Sequence, residues 1–386
     1  MRKKLIVPLS IFILTLMLSL SKPTESPDRV SIDFKMVEKG IEWLEFISSG
    51  ASNEAIKNYF MTHVAPTDGC QSIIHHWARF MEWNNETFYK FIMTALGWIP
   101  TDEKIKNKDG SLTALGRRRE LWLKALKNTN QLKKDLENIK AIDFQKQSVQ
   151  MAKQYLPPEA VLEADFYFVL FGHSTAFSVG KENGYDFLQL AKQADGTINI
   201  RELTTTFAHE LHHTGFDYVM KKNMKDVKNE ENILLLGILA AEGMPTYFID
   251  QPWKHLEEYK TRENSLYHEV AADWEKHSQR LKELYMEAEK DIRLNLEGKL
   301  GQKEVMSRWM SGYKGAGYVL GADMIGVIDK YLGRKAALDV ALDYRRLLLI
   351  YNQAAGKAAM KGNKIFIFDG ELTEKVSRYK GESVDQ

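Results

Sequence analysis

"TTTFAHELHHTGFD", Thr204 to Asp217, places three histidines within five residues of a 386-residue chain that has ten in all. No proline or glycine interrupts the stretch before Gly215, and the preceding "TINIREL" offers Asn199 or Thr197 as a cap, so the run predicts one long helix. Positions i and i+4 of a helix share a face. His209 and His213, the ends of an H-E-x-x-H pattern, therefore point the same way. Two imidazoles at this spacing can meet one tetrahedral zinc ion, with Glu210 beside them to take a proton from a zinc-activated water. His212 falls on a different face and is expected to be packed or partly exposed.

Two histidines leave a catalytic zinc one protein ligand short, because such sites use three and keep a position for water. "LLLGILAAEGMPTYFID" supplies Glu242, 29 residues past His213, within an apolar helical run. A carboxylate there is costly unless paired or metal-bound, which makes Glu242 the first candidate. Asp217 lies four residues after His213 on the same face and suits a carboxylate that accepts an imidazole N–H. A tetrahedral oxyanion would need another donor. Tyr318, in "GYKGAGYVLG", is the candidate, with Tyr313 and Tyr247 behind it. The pair His75 and His76 sits on an amphipathic helix and is expected at the surface.

Just before the metal helix the texture changes. "EADFYFVLFG", "STAFSVG" and "GYDFLQLA" are aromatic and β-branched runs separated by glycines, and read as short strands of one sheet. "GYDFLQLA" is expected at an edge, where it would align a peptide by strand addition. Residues 35 to 98 carry helical periodicity, as does the stretch from about 113 to Pro157 and Pro158, which end it. Most of 225 to 362 is again helical, and "KIFIFDGEL" reads as one more short strand. The expected class is mainly α with a small mixed β-sheet.

The first 26 residues stand apart. "MRKK" precedes the apolar run Leu5 to Ser21, followed by polar, proline-bearing sequence. This is the pattern of a signal peptide or an N-terminal membrane anchor, and either places the body outside the cytoplasm, secreted, periplasmic or tethered. A single cysteine, Cys70, excludes an intramolecular disulfide. The net charge of +1 is well mixed, and no basic stripe suggests nucleic acid.

"HELHH" with a downstream "AAEG" resembles the gluzincin class of zinc metallopeptidases, in particular bacterial families of zinc-dependent peptidases. The resemblance covers residues 140 to 360 and includes the late "GYVLGADMIGVIDKYLG". It implies that His209, His213 and Glu242 are zinc ligands, that Glu210 is the general base, and that the substrate is a peptide or protein. In thermolysin-like members an aspartate four residues past the glutamate orients the first histidine. Here that position is Thr246, and the gap of 29 residues between His213 and Glu242 is also longer. The expected organisation is a leader over 1–26, a helical N-terminal region over 27–130 and a zincin-like catalytic domain over 131–386. The alternative is a helical extracytoplasmic binding module in which zinc is structural or vestigial.

Overall fold

The computed structural model describes residues 28–381, apart from 80, 109–111, 194 and 263–264. The expected leader, residues 1–26, lies outside the described residues. The chain is mainly helical around a four-stranded mixed sheet, β1 (Arg29–Asp33), β2 (Glu163–Val169), β3 (Ala176–Val179) and β4 (Glu182–Asp186). The strand order is β1-β2-β4-β3; β2 pairs in parallel with both β1 and β4, and β3 runs antiparallel to β4. The helices that frame the site are α1 (Lys35–Ser48), α2 (Asp68–Ala78), α3 (Ala114–Lys127), α4 (Gln145–Gln154), α5 (Ile200–Asn223), α6 (Leu234–Pro245), α7 (Ser265–Ser278) and α8 (Ala316–Leu332).

Two expectations about strands are corrected. The "GYDFLQLA" strand, β4, lies inside the sheet, with both its backbone edges used by β2 and β3. It has no free edge for a peptide; β3 is the edge on the side of the metal helix. Strand order is set by how the chain crosses over, which local composition does not encode. "KIFIFDGEL" forms no strand. Phe366 instead stacks its ring on Tyr285 and Phe368 packs against it at a tilt, at 5.2 and 5.8 Å between centroids. Conversely β1, "RVSID", is too short and polar to announce itself, and forms because β2 offers it a partner.

Side chains alternate across the sheet, which gives each face its own partners. Phe166, Phe168 and Tyr185 share one face and meet Phe207 of α5, with centroids 3.9, 5.4 and 5.7 Å away. Phe207 is buried, and truncating such a ring costs about 3–5 kcal/mol. Tyr167 and Val169 face the other way, onto Gly69 of α2, and α1 approaches Leu170 through Gly40.

α5 begins where its cap was expected, with the Asn199 side chain accepting from Glu202 N. It is buried on nearly every side, between the sheet, α4 and α6, and so shows little amphipathy despite its length. α6 crosses α8 in near backbone contact. A Cβ on Gly243 would lie 2.4 Å from the Gly321 carbonyl carbon, and one on Gly321 would lie 2.4 Å from Leu239 O. This contact fixes Glu242, the neighbour of Gly243, close to Tyr318, one turn before Gly321. The run Glu230–Lys254 has the length and apolarity of a membrane span, yet 61% of its apolar window is buried inside the protein, as in a core helix.

Candidate metal centre

On α5 the His209 and His213 rings stand 4.8 Å apart, centroid to centroid. α6 brings Glu242 against both: its Oε2 is 3.4 Å from His209 Nε2 and 3.5 Å from His213 Nε2. Donor atoms of all three residues lie within 4.8 Å of one another, and no fourth His, Cys, Asp or Glu joins the group among the described residues. Glu242 Oε2 is buried and accepts no hydrogen bond. A buried carboxylate oxygen in that condition needs a partner. Ligands about 2.0–2.1 Å from a tetrahedral zinc lie about 3.3–3.4 Å from one another, close to the separations seen here. The donor set and its spacing therefore fit zinc.

A carboxylate holds the first imidazole in place. Asp250 Oδ2 lies 2.9 Å from His209 Nδ1, which leaves Nε2 turned toward Glu242. Lys314 Nζ donates to the same Asp250 oxygen at 3.1 Å. Asp250 is not at the expected offset. Four residues past Glu242 stands Thr246, with a buried hydroxyl, and the chain then makes one π-helical turn, Thr246–Asp250, that delivers Asp250 to the ring. The wide turn, which sequence periodicity does not reveal, is why the residue was missed.

Burial works against charge throughout the cluster, and the neighbours decide the outcome. Burial disfavours the imidazolium of His209, but Asp250 and Glu242 outweigh it and hold the pKa up at about 10. Burial likewise disfavours the Glu242 and Asp250 carboxylates, yet the adjacent cations hold both well below the usual carboxylate range. Glu210 differs. Burial pushes its carboxyl up, and His213 and His209 only partly oppose this.

Tyr318 lies beside Glu242 in the cleft wall, and burial followed by the Glu242 charge raises its pKa well above that of a free phenol. Lys314 lies over its ring, 4.5 Å from the centroid. The other two tyrosines are engaged elsewhere: Arg117 donates to Tyr313 OH at 3.1 Å, and Tyr247 OH donates to Asp329 at 3.3 Å. Asp217 lies near enough to His213 for their charges to interact, but makes no hydrogen bond to either imidazole among the described residues. His212 is fully buried, with Nε2 3.0 Å from Tyr155 O, and packs between helices.

The cluster opens into a cleft of about 820 Å³. β3 lines one side, and His76, Trp77, Arg79 and Arg117 reach in from the N-terminal helices. His76 is therefore part of the cleft wall, not the surface residue its sequence suggested. On the opposite side the 310–315 loop, which carries Lys314, is tied down by Asp273 of α7. That carboxylate accepts from Tyr313 N at 2.8 Å, and Gly312 sits so close to it, at φ 88°, that a Cβ would come within 2.5 Å. Arg117 of α3 braces the loop through Tyr313 and pairs with Glu269. None of these long-range partners carries a local signal in the sequence.

No curated protein and no solved structure matches the chain. One family model does, described as "Putative zinc dependent peptidase (DUF5700)", over residues 64–359. That span exceeds half the chain and encloses His209, His213, Glu242 and the walls of their cleft, and on it the chain belongs to this family.

Proposed function

We propose that the chain is an exported zinc metallopeptidase of the gluzincin type, with a zincin-like catalytic domain. His209, His213 and Glu242 would hold the metal and Glu210 would be the general base. One observation carries this reading most: His209 and His213 each bring a ring nitrogen to 3.4 and 3.5 Å from Glu242 Oε2, a buried oxygen with no hydrogen bond. Structural zinc sites close with four protein ligands, whereas a three-ligand set leaves room for substrate. Export rests on the N-terminal basic and apolar run alone.

Zinc, when bound, supplies Lewis acidity that polarises a carbonyl and makes water more acidic. The protein's own groups do the rest. Glu210, its basicity raised by burial, takes a proton from the attacking water and delivers it to the leaving amine. Tyr318 donates its O–H to the developing oxyanion from its place beside Glu242. Asp250 keeps His209 in the required tautomer. The free edge of β3, along the cleft, is the surface on which a peptide backbone would align.

The test compares wild type with Glu210→Gln. Metal content is measured by elemental analysis, and cleavage of a mixed peptide library by mass spectrometry. One zinc in both proteins with cleavage only by wild type supports the assignment. One zinc in both with cleavage by neither moves the weight to a structural site, and no zinc in either after growth in ample metal refutes the ligand set.

A further inference from the structure

α2 lies across the face of the sheet opposite α5, with Gly69 on Tyr167 and Val169 of β2 and His75 Nδ1 3.1 Å from Glu182 Oε2 of β4. On this face Phe177 of β3 stands opposite Gly184 of β4. A Cβ on Gly184 would come within 2.2 Å of the Phe177 ring, so the ring lies against bare backbone that only glycine leaves open. His76, in the last turn of α2, packs over Phe177 at a tilt, with ring centroids 4.8 Å apart.

The rings continue past the start of β3 into the 170–175 loop. Trp77 stands 5.0 Å from the His173 ring and 5.8 Å from Phe171, and His173 stands 5.5 Å from Phe171. Phe171 and Phe177 are buried and back the wall, whereas His76, Trp77 and His173 are partly exposed. His76, Trp77, His173 and Phe177 all line the cleft that holds His209, His213 and Glu242.

This wall carries no charge. Arg79 Nη2 lies 3.1 Å from His76 Nδ1, and a guanidinium only donates, so Nδ1 accepts and the imidazole is neutral. Burial holds the pKa of both His76 and His173 down at about 4. Three charged side chains of the cleft are taken up in ion pairs: Glu202 with Arg262, Arg117 with Glu269 and Lys314 with Asp250. Partly exposed rings grouped in a cleft offer faces and edges to another ring, and give up water when one enters.

We propose that His76, Trp77, His173 and Phe177 form a subsite for one large apolar side chain of the substrate, aromatic above all, and that the cleft selects peptides by that residue. The proposal rests on the peptidase reading above. A peptide strand paired along β3 turns alternate side chains to the two faces of the sheet. Those on the α2 side meet the wall of rings, and those between them turn toward α5.

The experiment uses the full chain loaded with zinc and a positional-scanning peptide library, with cleavage read by mass spectrometry. At one position Phe, Tyr, Trp and Leu should be favoured over Ala by about 10- to 100-fold in kcat/KM, the size of burying one large apolar side chain. Trp77→Ala should lower the Phe-to-Ala ratio at that position about tenfold, and Trp77→Phe should restore most of it. The ratio is internal to each variant, so a general loss of activity does not imitate the effect. His173→Ala serves where Trp77→Ala fails to fold, and should lower the same ratio. No large apolar preference at any position overturns the subsite and leaves the peptidase reading standing. So does a preference for Lys or Arg there, which would make the cleft's Asp217 the selecting group, or a ratio that survives both alanine variants. Zinc-loaded protein that cleaves no peptide in the library overturns both.

Discussion

Removing Asp250 tests the metal centre without touching a ligand. Its Oδ2 sits 2.9 Å from His209 Nδ1 and 3.1 Å from Lys314 Nζ, so it both orients an imidazole and separates it from a cation. Loss of such a carboxylate lowers metal affinity about 10- to 100-fold, or about 1.4–2.7 kcal/mol. Asp250→Asn keeps an acceptor oxygen but no charge, and should fall at the weak end. Asp250→Ala should fall at the strong end, because the Lys314 ammonium then faces His209 directly and opposes a bound cation. If so, Asp250→Ala combined with Lys314→Met should bind zinc more tightly than Asp250→Ala alone, with a coupling of about 0.5–3 kcal/mol. The assay is competition with a chromophoric zinc chelator at fixed pH, with circular dichroism to confirm the fold. Zinc affinity within twofold of wild type in Asp250→Ala would refute the reasoning, since His209 would then need no orienting partner.

Other perturbations separate the parts of the structure. Gly243→Ala forces a methyl against the Gly321 backbone where α6 crosses α8, and should cost about 1–3 kcal/mol in denaturant unfolding. An unchanged midpoint would mean that the crossing can relax. Tyr318→Phe should lower kcat about 10²- to 10³-fold while zinc content stays at that of wild type. Equal kcat would remove Tyr318 as the oxyanion donor. Cys70 is fully buried and burial pushes its thiol up to about 12. It should therefore resist a thiol-disulfide reagent at mildly alkaline pH in the native protein and react once denatured; prompt native reaction would contradict the packing of α2.

Local chemistry was legible in the sequence wherever helical periodicity does the positioning. His209 and His213 share a face because 3.6 residues make a turn, and α5 starts at Asn199 because its side chain caps the first free N–H groups. Glu242 stood out because a carboxylate in an apolar run demands a partner, and the fold does bring it to the two imidazoles. The mainly helical class with a small mixed sheet was legible for the same reason: apolar spacing reports which side of an element is buried.

Tertiary structure alone decided what lies across space. Nothing near Asp250 marks it as the partner of His209, because a single wide turn shifts the face on which it appears. Nothing in "STAFSVG" or "GYDFLQLA" says which becomes the edge, because strand order follows from crossovers. His76 reads as a surface residue of an amphipathic helix until that helix is laid over the sheet and the His76 ring packs on Phe177 of β3. Periodicity carries information only as far as one element's own turns. Which elements meet, and so which side chains share a cleft with the metal residues, depends on packing between segments more than a hundred residues apart in the chain.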